Sequence, residues 1–166
     1  MGNLRFAHVE YSISTKSLDI FTIGCGNGST NPMYCACEGC CNPEIRDWNL
    51  DGLSSKQVLK KVKQLNSEFN KLITKVLIVG GDPYDGYLRY SEEMLCFLKD
   101  LKVALQKPVY LFTRHELTVI SDEFKELCDF IKCGAYIPSL KTDNNFQYGI
   151  KLATSNQIIY KKGLDY

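Results

Sequence analysis

The sequence predicts an α/β fold with a mainly parallel sheet, either open or forming part of a (β/α) barrel, in a single domain over residues 1–166. Three observations carry this expectation. Short apolar strand signals alternate along the chain with segments of helical period. One of the strands, Val76-Leu77-Ile78-Val79, is apolar at every position, as in a strand covered on both faces. And 166 residues fall short of the roughly 250 that a closed eightfold barrel takes.

The elements follow in order. From Met1 to Asp19 polar and apolar residues alternate, with no assigned element before residue 18. Leu18 to Ile23 is rich in branched and aromatic residues and reads as a strand stopped by Gly24. A loop from Cys25 to Gly52 then carries Pro32, Pro43 and five of the eight cysteines. A loop of that length inside a compact domain points to a function or to something that holds it. Ser54 and Gln57 have capping-box spacing, and Val58, Val62, Leu65, Phe69 and Leu72 share one helical face. Lys60, Lys61 and Lys63 then form the solvated side of that helix rather than a nucleic-acid patch.

Gly80-Gly81-Asp82-Pro83 ends the Val76–Val79 strand as a turn. Glu92 to Leu105 reads as a helix with Leu95, Leu98, Leu101 and Leu105 inward, and Val109 to Phe112 as a strand ending at Thr113-Arg114. A short helix over Asp122–Leu127, a strand at Phe130-Ile131 and two weak strand signals between Phe146 and Tyr160 complete the chain. Ligands of such sheets collect at the carboxyl ends of the strands. Cys25, Gly80-Gly81-Asp82 and Thr113 all follow a strand, so one cleft is expected to hold them.

Composition excludes several functions. Twenty basic against nineteen acidic residues give a net charge of +1, without the basic excess of a nucleic-acid binder. The longest apolar run is about five residues, against the roughly twenty of a membrane helix. Neither a secretory signal nor a myristoylation site is visible, since Phe6 stands where Ser or Thr is wanted. The expectation is a cytoplasmic protein. In that reducing compartment clustered thiols indicate metal or redox chemistry rather than disulfides.

The cysteines are spaced Cys25, eleven residues, then Cys37-Glu38-Gly39-Cys40-Cys41. A C-x2-C pair in a glycine-containing turn aims two sulfurs at one centre, with a third offered from the end of the preceding strand. Thiolates suit both zinc and iron–sulfur clusters. A fourth thiolate from Cys35 or Cys41 would close the site, and three would leave a corner open. Cys96, Cys128 and Cys133, in or beside apolar segments, read as free or buried thiols. His8 and His115 form no catalytic pair by spacing, and His115 reads as a surface or capping residue at a helix start.

Cys37-Glu38-Gly39-Cys40, followed by Asn42-Pro43-Glu44 and Trp48, resembles the cluster loop of radical S-adenosylmethionine (SAM) enzymes. Within these it is similar to the small activating proteins of anaerobic ribonucleotide reductase, relatives of the pyruvate formate-lyase activases. The likeness extends to Gly80-Gly81-Asp82-Pro83, Leu111-Phe112-Thr113, Asp129-Phe130-Ile131 and Ser155-Asn156-Gln157, in that order. Two features depart from the family. Eleven residues separate the first two ligands where three are usual, and Cys41 replaces the aromatic residue that often follows the last cysteine. A longer loop costs little, because closure entropy grows only logarithmically. Tyr34 or Trp48 would then supply the aromatic surface.

The resemblance implies a sheet or partial barrel of the radical SAM type. It further implies a 4Fe-4S cluster held by Cys25, Cys37 and Cys40, with Cys25 preferred over Cys35 as first ligand. SAM would sit on the fourth iron, bordered by Gly39, Cys41, Gly80, Gly81, Asp82 and Thr113. In that scheme the two glycines let backbone carbonyls approach the SAM ammonium, and Asp82 adds negative charge beside it. Thr113 or Arg114 would take its carboxylate. Reductive cleavage would give a 5′-deoxyadenosyl radical. The implied partners are a glycyl radical enzyme, such as anaerobic ribonucleotide reductase, and an electron donor such as flavodoxin or ferredoxin. The alternatives are the same radical chemistry on a small molecule or peptide, or a non-catalytic zinc-binding module.

Overall fold

A computed structural model describes residues 3–26 and 37–166. Its centre is a six-stranded sheet built from β1 (Phe6–Ser12), β2 (Ser17–Thr22), β3 (Lys75–Gly80), β4 (Val109–Phe112), β5 (Phe130–Cys133) and β8 (Ile158–Lys161), in that spatial order. The strands β2 to β5 run parallel, and the edge strands β1 and β8 are antiparallel to their neighbours. The mainly parallel α/β expectation holds, in an open arrangement with two edges. A separate small hairpin joins β6 (Phe146–Gln147) to β7 (Ile150–Lys151).

Helices connect the parallel strands: α1 (Ser55–Phe69), α2 (Pro83–Arg89), α3 (Ser91–Leu105) and α4 (Asp122–Lys125). The predicted capping box is present, with Ser54 accepting from the Gln57 N–H and the Gln57 side chain accepting from the Ser54 N–H. Val58 and Val62 are buried, Leu65 and Phe69 pack partly on the core, and Lys60, Lys61 and Lys63 are exposed. Leu72 lies past the end of α1 and is half exposed, so it does not extend the apolar face. On α3, Leu95, Leu98, Leu101 and Leu105 are all buried. Each such leucine contributes about 1.5–3 kcal/mol.

All four helices lie against one face of the sheet, where Leu18, Ile20, Val76, Ile78, Leu111 and Ile131 meet Val62, Tyr84, Leu98 and Phe124. On the other face a smaller cluster of Leu77, Tyr110 and Ile159 is covered by Ile150 and Leu152 from the hairpin segment. The sheet is thus buried on both sides over β3 and β4, which explains the unbroken apolar run Val76–Val79.

Two elements were not expected. The alternation before residue 18 is the antiparallel edge strand β1. The turn at Gly80–Pro83 is at the same time the start of a helix: the Asp82 carboxylate accepts the Tyr84 N–H at 3.0 Å, and Pro83 occupies the first turn of α2.

Candidate metal and cofactor centre

At the carboxyl ends of β2 to β5 lies a cavity of about 380 Å³. Cys25 reaches it from the end of β2, Gly80, Gly81 and Asp82 from β3, Thr113 and Arg114 from β4, and Lys132 and Gly134 from β5. The loop contributes Cys37, Gly39, Cys40, Cys41 and Arg46, and the tail closes one side with Leu152 and Gln157. Every site residue expected from the sequence therefore borders one space. Cys35 and Tyr34, weighed as a ligand and as an aromatic wall, lie outside the described residues. Trp48 packs behind the loop instead: its ring fills the room a side chain at Gly24 would need, and its Nε1 donates to the Gly26 carbonyl at 2.8 Å. Among the described residues, Phe112 and Tyr136 are the aromatic residues on the cavity wall.

The position of Cys25 is set by backbone pairing. Gly24 N–H donates to the Ile45 carbonyl and Cys25 N–H to that of Arg46, joining the two ends of the loop. Gly81 N–H donates to Thr22 O, and Asp82 N–H to Gly24 O, both at 2.8 Å. These bonds require the glycine pair. A Cβ at Gly81 would overlap the Gly24 carbonyl oxygen, and one at Gly80 would lie 2.8 Å from the Thr22 backbone. Gly80 also has φ +104°, a region side chains rarely adopt. The expected reason for the glycines was access for a ligand. The packing gives them an internal one, the close approach of the strand that carries Cys25.

Beneath the cavity floor lies a polar network. Asp82 accepts from the Thr113 hydroxyl at 2.7 Å and from the Arg114 N–H at 2.9 Å, besides capping α2. Asp85 accepts from Gly26 N–H at 2.6 Å, from Arg114 Nη2 at 3.1 Å, and pairs with His115 Nε2 at 2.7 Å. The expectation of a surface or capping His115 is corrected: the ring is largely buried and joins this network. Burial pushes the Asp82 carboxyl above its ordinary pKa, with Asp85 adding to the effect. Burial acts the same way on Asp85, but the bonds from His115 and Gly26 and the Arg114 charge outweigh it and hold Asp85 low.

Asp82, Asp85 and His115 bring three ligand atoms within 4.8 Å of one another. That trio is not a cation site, because the Arg114 guanidinium already supplies its positive charge. With its oxygens engaged in this way, Asp82 braces the turn and Thr113.

The thiols differ in character. Cys25, Cys37, Cys40 and Cys41 are free, with no disulfide among them. Burial, together with Asp82 and Asp85, pushes Cys25 up to about 12, so its proton leaves readily only when a metal replaces it. Cys128 and Cys133 are buried as expected, whereas Cys96 is exposed on α3.

Lys132, Tyr136 and Arg46 on the cavity wall were not singled out from the sequence. A lysine inside the strand Phe130–Cys133 was the available signal, since lysine is rarely buried without a partner.

The 4Fe-4S single cluster domain family matches residues 28–160, a span that includes Cys37, Cys40, the glycine pair and β5 and begins just after Cys25. The chain belongs to that family. Neither a curated protein nor a solved structure matches it. Family and site agree in chemistry: free thiols from separate segments converge on one partly enclosed space, a donor set suited to iron and sulfide. The zinc-module alternative loses ground accordingly. No helix among the described residues is long and apolar enough to cross a membrane.

Proposed function

We propose that the chain is a radical SAM enzyme. In this reading Cys25, Cys37 and Cys40 hold the 4Fe-4S cluster and SAM occupies the remaining space beside Gly80, Gly81 and Thr113. The enzyme then installs a glycyl radical on a partner such as anaerobic ribonucleotide reductase, with flavodoxin or ferredoxin as electron donor. The observation that carries this reading is the convergence of three thiol-bearing positions with the glycine pair on one cavity at the strand ends. When bound, cluster and SAM supply a one-electron cleavage of the sulfonium that provides a radical for hydrogen abstraction.

The chain's own residues bind and orient. Cys25 is fixed by the Gly24–Asp82 backbone pairing, and the Cys37–Cys40 turn is shaped by Gly39 at φ +67°. Phe112 and Leu152 give the cavity apolar walls that exclude water. Three protein thiolates would leave one iron open to SAM, whose space Cys41 borders without ligating the cluster. A cavity that the described residues enclose only in part suits a large partner that covers it, in keeping with a glycyl radical enzyme as substrate.

The test is anaerobic reconstitution with iron and sulfide of single Cys→Ala variants, followed by dithionite and SAM. Cys25→Ala, Cys37→Ala and Cys40→Ala lose iron and form no 5′-deoxyadenosine, while Cys35→Ala and Cys41→Ala retain both. Full iron in Cys25→Ala, with loss in Cys35→Ala, overturns the assignment.

A further inference from the structure

Lys132 stands out among the residues that the proposed chemistry does not use. It sits on β5, beside the edge strand β8, lines the cavity, and is only 8% exposed. Its ammonium donates to the Gly134 carbonyl at 2.8 Å and, at 3.5 Å, to that of Thr113. Its Nζ also lies over the Phe112 ring, 5.9 Å from the centroid. Among the described residues no carboxylate lies within ion-pair distance of it. Asp82, whose charge acts on it, is committed to Thr113, Arg114 and the start of α2.

Among the described residues this buried ammonium has two carbonyl partners, which leaves its third donor and its charge without an anionic match there. Such an arrangement is costly unless an anion shares the space. The other groups whose charge bears on Lys132 are the thiols of Cys37, Cys133 and Cys41, of which Cys37 and Cys41 line the same cavity. Burial lowers the lysine's own pKa, and a negative centre in the cavity would restore it.

We infer that Lys132 is the charge partner of the thiolate-bound cluster in this cavity and raises its reduction potential. The inference rests on the cysteine assignment above. Adding an electron makes the cluster more negative, so a fixed positive charge beside it favours the reduced state. Net charge and burial are among the levers that set such potentials. Lys132 is a positioning and tuning residue in this role and touches no reacting atom.

The test is a redox titration of the reconstituted full-length protein, followed by the reduced electron paramagnetic resonance signal. It compares wild type with Lys132→Met, Lys132→Gln and Lys132→Arg, with iron and sulfide content measured on each sample. Lys132→Met and Lys132→Gln keep the iron, and the equilibrium constant for reduction falls about tenfold, a negative shift of about 59 mV for one electron. Lys132→Arg stays near wild type, which separates charge from packing. An unchanged potential in the Met and Gln variants at full iron content overturns the inference and leaves the cysteine assignment standing. Failure of the cysteine assignment shows differently, as iron retained in Cys25→Ala. Should Lys132→Met not fold, the comparison of Lys132→Gln with Lys132→Arg decides the same question.

Discussion

The Asp85 carboxylate accepts the Gly26 N–H at 2.6 Å, across 59 residues of sequence, and so ties helix α2 to the residue that follows Cys25. The same carboxylate holds Arg114 and His115, which come from the end of β4. One buried side chain thereby links the cysteine-bearing loop to helix α2 and to the end of β4. Asp85→Asn removes the charge from these bonds. Hydrogen bonds to charged groups contribute about 1.5–3 kcal/mol, which corresponds to a fall in Tm of roughly 3–12 °C for a domain of this size. Calorimetry of the metal-free variant checks this, and iron content after desalting falls alongside. A variant with wild-type Tm and iron would show that Asp85 does not hold the loop.

The pH dependence of stability follows from the same pair of acids. Asp85 is held below its ordinary 3.8, so its contribution is fully present above that value and is lost as pH falls through the depressed one. Asp82 is raised by burial and acts in the opposite sense, costing stability as pH climbs from 3.8 through its raised value. Below about pH 4 the acid limb of a stability profile is therefore steeper in wild type than in Asp85→Asn. Parallel limbs would contradict the assignment.

Much of the fold was legible because its signals are local. The Ser54/Gln57 capping box and the leucines of α3 announce their elements within a few residues, and both are present. The start of α2 was misread although Asp82-Pro83 is a sound helix-start pair, because the preceding Gly80-Gly81 suggested a turn and nothing more. The strand β1 was missed because an antiparallel edge strand, half exposed, alternates without an apolar run. At the site, the strand-end residues were predictable from the rule that ligands gather there. The roles of Asp82, Asp85 and His115 were not, since their partners lie about 30 to 60 residues away in sequence.

Gly81→Ala is expected to damage both the fold and the site. Its Cβ would overlap the Gly24 carbonyl oxygen, which is backbone and has no room to yield. Gly86→Ala serves as the comparison, because its nearest neighbour is the flexible end of Met94 at 3.1 Å. The account predicts a lower Tm and lost iron for Gly81→Ala, and a small effect for Gly86→Ala. Equal effects would mean that the pairing of Thr22 and Gly24 with Gly81 and Asp82 does not control the position of Cys25.

The remaining thiols separate by burial. Cys128 and Cys133 are pushed up to about 12, chiefly by desolvation, whereas Cys96 is exposed. Iodoacetamide at pH 8 on the native metal-free protein modifies Cys96 and spares Cys128 and Cys133 until denaturant is added. Peptide mass spectrometry reads this directly, and comparable labelling of all three would contradict the burial of Cys128 and Cys133 in the core.

The most direct test of the central claim is the electron paramagnetic resonance spectrum of the anaerobically reconstituted, reduced protein with and without SAM. The account predicts a 4Fe-4S signal that changes when SAM is added, because one iron is open to it. A spectrum indifferent to SAM, or a colourless protein that holds zinc instead, would contradict it.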